Sequence, residues 1–261
     1  MTVISFVACK IFEDEIIHVV ENDSLIDKLI LVENDDCGRL AEKLDNEGIK
    51  YEILPLEAIP VNLDSNESDK ITLIIDILEL ALHAYPDDLK NAVYAVTEEM
   101  SSYSDGILLF YGLCGNVLAK TEEDLKDLSC PVHILKEKNG QIIDDCIGAV
   151  LGGRGAYLEK LRACSGVGTF FMTPMWAANW REMIVSAGMT PDIDDIESSK
   201  FVFEQVGYKI VAKIDTGLRY EENFDAMVDE FAQLFDFDVI EMDASPELLE
   251  HCYCKLKEHV S

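Results

Sequence analysis

The sequence has 261 residues, of which 49% are hydrophobic, so it can bury a substantial core as one large domain or as two tightly joined halves. Its 51 acidic and 21 basic residues leave a formal net charge of -30, which repels a nucleic-acid phosphate backbone or an anionic membrane surface. The composition therefore excludes an intrinsically disordered chain and makes nucleic acid and membranes poor partners.

The N-terminal segment from Met1 to Cys9 is apolar but carries no basic leader, and acidic residues interrupt the apolar pattern well before a membrane-spanning length is reached. We therefore expect a cytoplasmic protein. Its eight cysteines are then better explained as free thiols or ligands than as a disulfide framework, which fits a reducing, anaerobic compartment.

The first part of the chain alternates short apolar runs with amphipathic segments, which predicts strands at 3–7, 29–32 and 51–54 and a helix at 39–47. Residues 61–69 form a polar connection. Apolar residues then recur at helical spacing and predict a helix that ends at His83; they are Ile71, Ile74, Ile75, Leu78 and Leu82. Pro86 begins a second helix.

Residues 107–111 are wholly apolar and predict a buried strand in the centre of the first sheet. This strand leads directly into a loop that presents Cys114 between Gly112 and Gly115. Glycines in such a loop let the backbone and a ligand approach each other closely.

The remaining chain continues the alternation of strands and helices. Helices are predicted to start at Thr121, to contain Trp176 and Trp180, to span 221–235, and to run from Pro246 to near His259. Strands are predicted at 132–135, 169–172, 209–214 and 239–242, with a hairpin or loop at 136–141 and a helix fed by 144–153.

This alternation is typical of α/β proteins with parallel sheets and helices on both faces. We predict two closely packed Rossmann-like halves with mostly parallel sheets flanked by helices. The halves are placed near 1–143 and 144–261, with an approximate boundary, and a single domain is the alternative.

Three cysteines and one histidine are the candidate metal ligands. Cys9 and Cys114 follow strands at their carboxyl ends, where open α/β sheets bind ligands. Cys146 lies where a helix should begin, so backbone amides lower its pKa while Asp144 and Asp145 raise it. With the His83 imidazole, these thiols suit zinc, iron or another soft to borderline metal, although the spacings are long and irregular. A histidine that caps a helix is an equally good interpretation of His83.

Two glycine-bearing segments at the ends of secondary-structure elements are predicted to form opposite walls of the principal cleft. The cofactor-binding positions of the first wall are Tyr111, Gly112, Gly115 and Asn116. Gly152 and Gly153 belong to the second wall, the segment 145–153, where a flexible turn is the simpler interpretation of the glycines.

Four motifs in a fixed order resemble one known family. They are Leu80-Ala-Leu-His-Ala-Tyr-Pro86, Phe110-Tyr-Gly-Leu-Cys-Gly115, Asp145-Cys-Ile-Gly-Ala-Val-Leu-Gly-Gly153 and Gly168-Thr-Phe-Phe-Met-Thr-Pro174, with Ala8-Cys9 near the start. Together they resemble the archaeal and bacterial family called domain of unknown function 1638, and the resemblance covers most of the chain.

The resemblance implies a role in or beside corrinoid-dependent methyl transfer in anaerobes, including methanogens, with a methyltransferase or corrinoid protein as partner and a corrinoid as a further cofactor. It implies Cys9, His83, Cys114 and Cys146 as the site. This chain has Asp144 where the family often has a histidine, which puts in doubt any role of that histidine as a ligand or base. The corrinoid-carrier signature Asp-x-His-x-x-Gly is absent.

Two interpretations from different classes remain open. In the first, the cysteines hold zinc, iron or an iron–sulfur cluster, and the protein serves one-carbon metabolism catalytically or as an accessory. In the second, the cysteines are structural, and the protein is a non-catalytic module that binds a small ligand or a partner methyltransferase.

Overall fold

The computed structural model describes residues 2–60 and 70–260, apart from the side chains of Ala81 and His83. The chain is an α/β protein with a six-stranded and a three-stranded parallel sheet flanked by helices, so the predicted fold class is confirmed. The polar connection predicted at 61–69 lies outside the described residues.

The six-stranded sheet forms the first part of the molecule. Its strands are β1 (Thr2–Cys9), β2 (Ile26–Val32), β3 (Glu52–Leu54), β4 (Ile71–Leu78), β5 (Gly106–Phe110) and β6 (Val132–Ile134). The spatial order is β3-β2-β4-β1-β5-β6, and every pair of neighbours is parallel. All carboxyl ends therefore meet at one edge, where a ligand site is expected.

The helix predicted over 71–83 is wrong, because residues 71–78 form β4, which pairs with β1 on one side and β2 on the other. Four apolar residues fit a helical period, but Thr72, Leu73 and Ile77 fill the gaps between them, and every residue up to Ile77 is buried. A short, unbroken run rich in isoleucine is the pattern of a strand buried on both faces.

The helices comprise ten segments in the described ranges. They are α1 (Glu13–Asn22), α2 (Cys37–Asn46), α3 (Pro86–Met100), α4 (Thr121–Asp124), α5 (Cys146–Val150), α6 (Arg154–Ala163), α7 (Pro174–Ser186), α8 (Ile196–Val206), α9 (Phe224–Phe235) and α10 (Glu247–Val260). The helix predicted to follow residues 144–153 is α6; α8 was not predicted, and α4 is a single turn.

Helices cover both faces of the first sheet. Side chains of α1, α2 and α10 pack on one face around Phe6 and Phe110, and α3 packs on the other face around Val7 and Leu109. The strand β5 lies second from the edge rather than in the centre as predicted, yet all its residues are buried because α10 returns from the C-terminal part to cover it. A Cβ at Gly106 would lie 2.7 Å from Cγ1 of Val260, which shows how closely α10 approaches.

The second sheet consists of β7 (Gly168–Met172), β8 (Tyr208–Asp215) and β9 (Asp238–Asp243) in that order. Its main core is aromatic: Phe170, Phe203, Phe231 and Trp180 pack with ring centroids 4.9 to 6.1 Å apart. The helix α10 crosses back to the first sheet, and the division at 143/144 stays a prediction. Within 2–60 and 70–260, no helix has the length and apolarity needed to span a bilayer.

A buried charge cluster ties α1 to α2 and to the C-terminal part of the chain. The ammonium group of Lys43 lies 2.5 Å from Asp14, 3.6 Å from Glu13 and 3.4 Å from Glu221, and all four side chains are nearly inaccessible. Burial raises the pKa of Glu13 to about 7 and that of Glu15 to about 8, against an ordinary value of 4.5. Near neutral pH Glu15 is therefore mostly protonated and Glu13 partly so, because a buried carboxylate lacks its hydration.

We predict that the free energy of unfolding falls as the pH rises from about 6 to about 8, by on the order of 3 kcal/mol in total. The sign follows because the folded state binds protons on Glu13 and Glu15 that the unfolded state has already lost above its ordinary carboxyl pKa. Urea unfolding at several pH values measures it.

Replacing Glu15 with Gln mimics the protonated acid. The Glu15→Gln variant should have the same free energy of unfolding as the wild type near pH 6 and a larger one near pH 8. Glu42→Gln, an exposed change on α2, should keep the pH dependence of the wild type. If the free energy of unfolding depends on pH equally in all three proteins, the raised pKa of Glu15 is contradicted.

Candidate functional site

A cavity of about 490 Å³ lies at the carboxyl edge of the first sheet. There β1 and β5 end side by side, with Ala8 paired to Phe110. The wall is formed by the segments 111–116 and 144–146, by Cys9 and Phe12 after β1, by Glu79 after β4, and by the first turn of α3. This is the edge at which parallel α/β sheets bind ligands, and the volume is that of a small-molecule pocket.

Two backbone hydrogen bonds hold the Cys114 loop against the segment that precedes α5. The N–H of Leu113 donates to the carbonyl oxygen of Ile143 at 2.8 Å, and the N–H of Cys114 donates to that of Asp144 at 3.0 Å. These bonds join two parts of the chain that are about 30 residues apart, so residues 112–116 and 144–146 form one continuous wall.

Gly112 makes this close contact possible. A Cβ at this position would lie 2.6 Å from the Ile143 carbonyl oxygen and 3.0 Å from the Asp145 nitrogen. Both atoms belong to the backbone and cannot rotate away, so only glycine fits between the two segments.

The tip of the loop has an unusual backbone. Cys114, Gly115 and Asn116 have φ angles of 45°, 73° and 73°. Left-handed conformations are unfavourable for a cysteine, and strain of this kind concentrates at functional sites. The conformation places the Cys114 side chain in the cavity wall.

Cys146 is positioned by the start of α5. The carboxylate of Asp145 caps this helix by accepting a hydrogen bond from the N–H of Gly148 at 2.8 Å. The next residue, Cys146, therefore begins the helix with its side chain at the cavity wall. Trp176 in α7 lowers the pKa of Cys146, so the C-terminal part of the chain also contributes to the site.

The three thiols of the cavity are neutral. Burial raises the pKa of Cys9 to about 12 and that of Cys114 to about 11, and it raises the pKa of Cys146 well above its usual value. Cys114 also raises the pKa of Cys9, and both Cys9 and Cys114 raise that of Cys146. For Cys146, burial and Asp145 outweigh the effect of the helix start considered from the sequence.

Tyr111 brings a buried hydroxyl to the same edge. The residue is 3% exposed, and its hydroxyl has no hydrogen-bond partner among the described residues. Burial raises its pKa well above 10, and its acidic neighbours Cys9, Cys114 and Asp76 would raise it further wherever they are ionised. An unsatisfied buried hydroxyl costs about 1–3 kcal/mol, so the site holds a polar group that is ready for a ligand contact.

The structure separates the residues that the sequence grouped together. Tyr111, Gly112, Gly115 and Asn116 all line the cavity, with Cys9, Cys114 and Cys146. Gly152 lines a different cavity, between the hairpin at 136–142 and α10. Gly153 precedes α6, packed against Glu137, whose carboxylate accepts the N–H of Arg154 at 2.6 Å. The opposing wall therefore consists of 144–146 rather than the whole of 145–153.

His83 lies in a single 3-10 segment, Leu80–Ala84, directly after β4, and its side chain is outside the described part of the chain. Among the side chains that are described, no group of three or more His, Cys, Asp or Glu residues has an arrangement that would hold a metal ion. All eight cysteines are free.

Sequence reasoning missed the contribution of β4 to this site. Asp76 is buried at the end of β4, accepts a hydrogen bond from Asn34 at 2.8 Å, and has its pKa raised to about 6 by burial. Glu79 lines the cavity. Assigning 71–78 as a strand would have placed both residues at the ligand-binding edge.

Comparison with family models matches residues 77–253 to a family described as a protein of unknown function, DUF1638. The match covers more than half of the chain, which therefore belongs to this family. The matched region begins at residue 77, so it includes Cys114 and Cys146 but not Cys9. No curated protein matches the sequence.

We predict that Gly112→Ala separates the Cys114 loop from residues 143–145 and lowers the free energy of unfolding by about 1–3 kcal/mol, since the added methyl meets backbone atoms. Chemical denaturation measures the change. Gly38→Ala in α2 is the matched control: nothing lies within 4 Å of its Cβ, so alanine should stabilise that helix slightly. A Gly112→Ala variant with the wild-type free energy of unfolding would contradict the close contact.

We also predict that iodoacetamide near neutral pH modifies Cys254, which is exposed, well before Cys9, Cys114 or Cys146. The reason is that only the thiolate reacts, and the three cavity thiols hold their protons. Peptide mass mapping over time measures the order. Modification of any cavity thiol as fast as Cys254 would show that its pKa is not raised.

Proposed function

We propose that the protein binds a transition metal, either zinc, iron or an iron–sulfur cluster, through Cys9, Cys114 and Cys146. The observation that carries the proposal is that three cysteines from distant parts of the sequence line one cavity. Thiolates select these metals over magnesium and calcium. Packing alone would accept any small apolar side chain at each position.

The surroundings of the thiols support a positive ion. The groups that raise the pKa of the three thiols are acidic, namely Glu13, Asp36 and Asp145. Of these, Glu13 is only partly ionised near neutral pH and Asp36 is paired with Lys10 at 3.3 Å, so Asp145 contributes most of the negative charge. A metal ion would displace the thiol protons and neutralise this negative field. Binding would also draw the three sulfurs together from their present positions.

His83 is proposed as the fourth ligand. Its backbone follows β4 in the 3-10 segment that comes directly after Glu79, a residue of the cavity wall. Neutral imidazole is a common partner of thiolates around zinc.

The wider role is proposed from the family resemblance: the site serves corrinoid-dependent methyl transfer in the cytoplasm of an anaerobe, catalytically or as an accessory, beside a methyltransferase or corrinoid protein. The corrinoid would be carried by the partner, because this chain lacks the carrier signature. Co-purification with a corrinoid protein under anaerobic conditions tests this role separately from the metal.

We predict that anaerobically purified protein contains zinc or iron and that Cys114→Ser loses most of it, since one thiolate of three is removed. Elemental analysis and the absorption spectrum measure this: charge-transfer bands indicate iron or a cluster, and zinc alone indicates a structural or Lewis-acid site. Cys254→Ser removes an exposed thiol outside the cavity and should keep the metal. Less than about a tenth of an equivalent in the wild type would contradict the proposal.

A second candidate is a non-catalytic module that binds a small organic ligand. It is favoured by the cavity volume of about 490 Å³ and by the lack of a metal-binding arrangement among the described side chains. Metal-free wild-type protein whose Cys114→Ser variant binds the same small ligand with unchanged affinity would support this candidate.

A further inference from the structure

The cavity is much larger than a metal site needs. A single water occupies about 30 Å³ of liquid volume, and an ion bound by sulfur takes up a similar space. The cavity measures about 490 Å³, within the range of pockets that enclose small organic molecules. Space therefore remains for an organic molecule beside the thiols.

The charges of the wall restrict the kind of molecule. Three carboxylates line the cavity, Glu79, Asp144 and Asp145, while the described part of the lining contains no Lys, Arg or His. Arg154 pairs with Asp144 at 3.0 Å and offsets one of these charges. An anionic ligand would still meet acidic groups without a cation to bind it, because nearby carboxylates repel it.

The negative field is also visible at the buried groups. Asp36 and Asp76 raise the pKa of Tyr111, and Asp145 raises the pKa of both Cys114 and Cys146. Asp76 of β4 and Asp36, which precedes α2 and is paired with Lys10 at 3.3 Å, therefore act on the same cavity as residues 144–145.

The apolar part of the wall contains two aromatic rings, Phe12 and Tyr111. Aromatic faces attract ammonium groups, and the phenol oxygen of Tyr111, which has no hydrogen-bond partner among the described residues, can accept a bond from an N–H. Aromatic rings, acidic groups and a free phenol oxygen are the features that bind organic cations.

We propose that the cavity binds a small organic cation, a protonated or quaternary amine, beside the three thiols. This inference rests on the proposal that the cavity is the ligand site, but it does not require that a metal is bound there. It excludes phosphates and carboxylates as the preferred ligands.

Three probes of nearly equal shape test the charge preference in metal-free, full-length protein: choline, its neutral analogue 3,3-dimethylbutan-1-ol and the anion 3,3-dimethylbutanoate. Calorimetric titration at physiological salt should show one equivalent of choline bound at least about tenfold more tightly than the alcohol, and the anion most weakly.

Two variants then locate the binding. Asp145→Asn removes a wall charge but keeps a good helix cap, and Glu79→Gln removes the rim charge. Each variant should bind choline several-fold more weakly than the wild type and bind the alcohol with unchanged affinity, because only the cation interacts with the lost charge. Glu42→Gln, exposed on α2 and outside the cavity, is the control for the general field of this acidic protein.

Equal affinity for choline and the alcohol would overturn the inference, as would a preference for the anion or no binding of any probe below about 10 mM. If Glu42→Gln lowers the affinity for choline as much as Glu79→Gln does, the inference is also overturned, since the binding would then depend on the general negative charge and not on this cavity. If the wild type carries no metal when purified anaerobically but prefers choline, the metal proposal alone is contradicted. If the wild type carries metal when purified but shows no charge preference after the metal is removed, this inference alone is contradicted.

Discussion

The candidate site depends on the two backbone hydrogen bonds that join residues 113–114 to residues 143–144. They hold the loop after β5 against the start of α5, so that Cys114 and Cys146 share one wall, while the pairing of β1 with β5 brings Cys9 to the same edge. Gly112 permits the contact, and the left-handed backbone of Cys114 directs its thiol into the wall. The surrounding structure holds Cys114 in this strained conformation, and strained residues of this kind are found at functional sites.

The second constraint is electrostatic. The three thiols are half-buried and Tyr111 is buried, and the described part of the wall around them holds Glu79, Asp144 and Asp145 but no Lys, Arg or His. Such an environment does not activate a cysteine as a nucleophile, because a reactive thiolate needs a positive neighbour. It favours a positively charged ligand instead, either a metal ion that replaces the thiol protons or an organic cation in the remaining space. Both proposals follow from this one property of the cavity.

Much of the fold could be predicted from the sequence, because short apolar runs and proline or glycine boundaries identify strands and helices locally. The strand β4 was not predicted, because the spacing of its apolar residues fits a helix as well as a buried strand. Its pairing with β1 and β2 decides between the two. The positions of Cys9, Cys114 and Cys146 at element ends predicted their shared edge. The roles of Asp76 and Glu79 depend on β4 and were therefore missed, and Gly152 and Gly153 lie elsewhere because α5 carries them away from the cavity.

X-ray absorption spectroscopy of the metal-loaded protein tests the central claim most directly, because it counts the sulfur atoms bound to the ion. The account predicts about three sulfur ligands at roughly 2.3 Å in the wild type and one fewer in any Cys9, Cys114 or Cys146 variant that retains metal. A first coordination sphere of nitrogen and oxygen alone, unchanged in those variants, would contradict it.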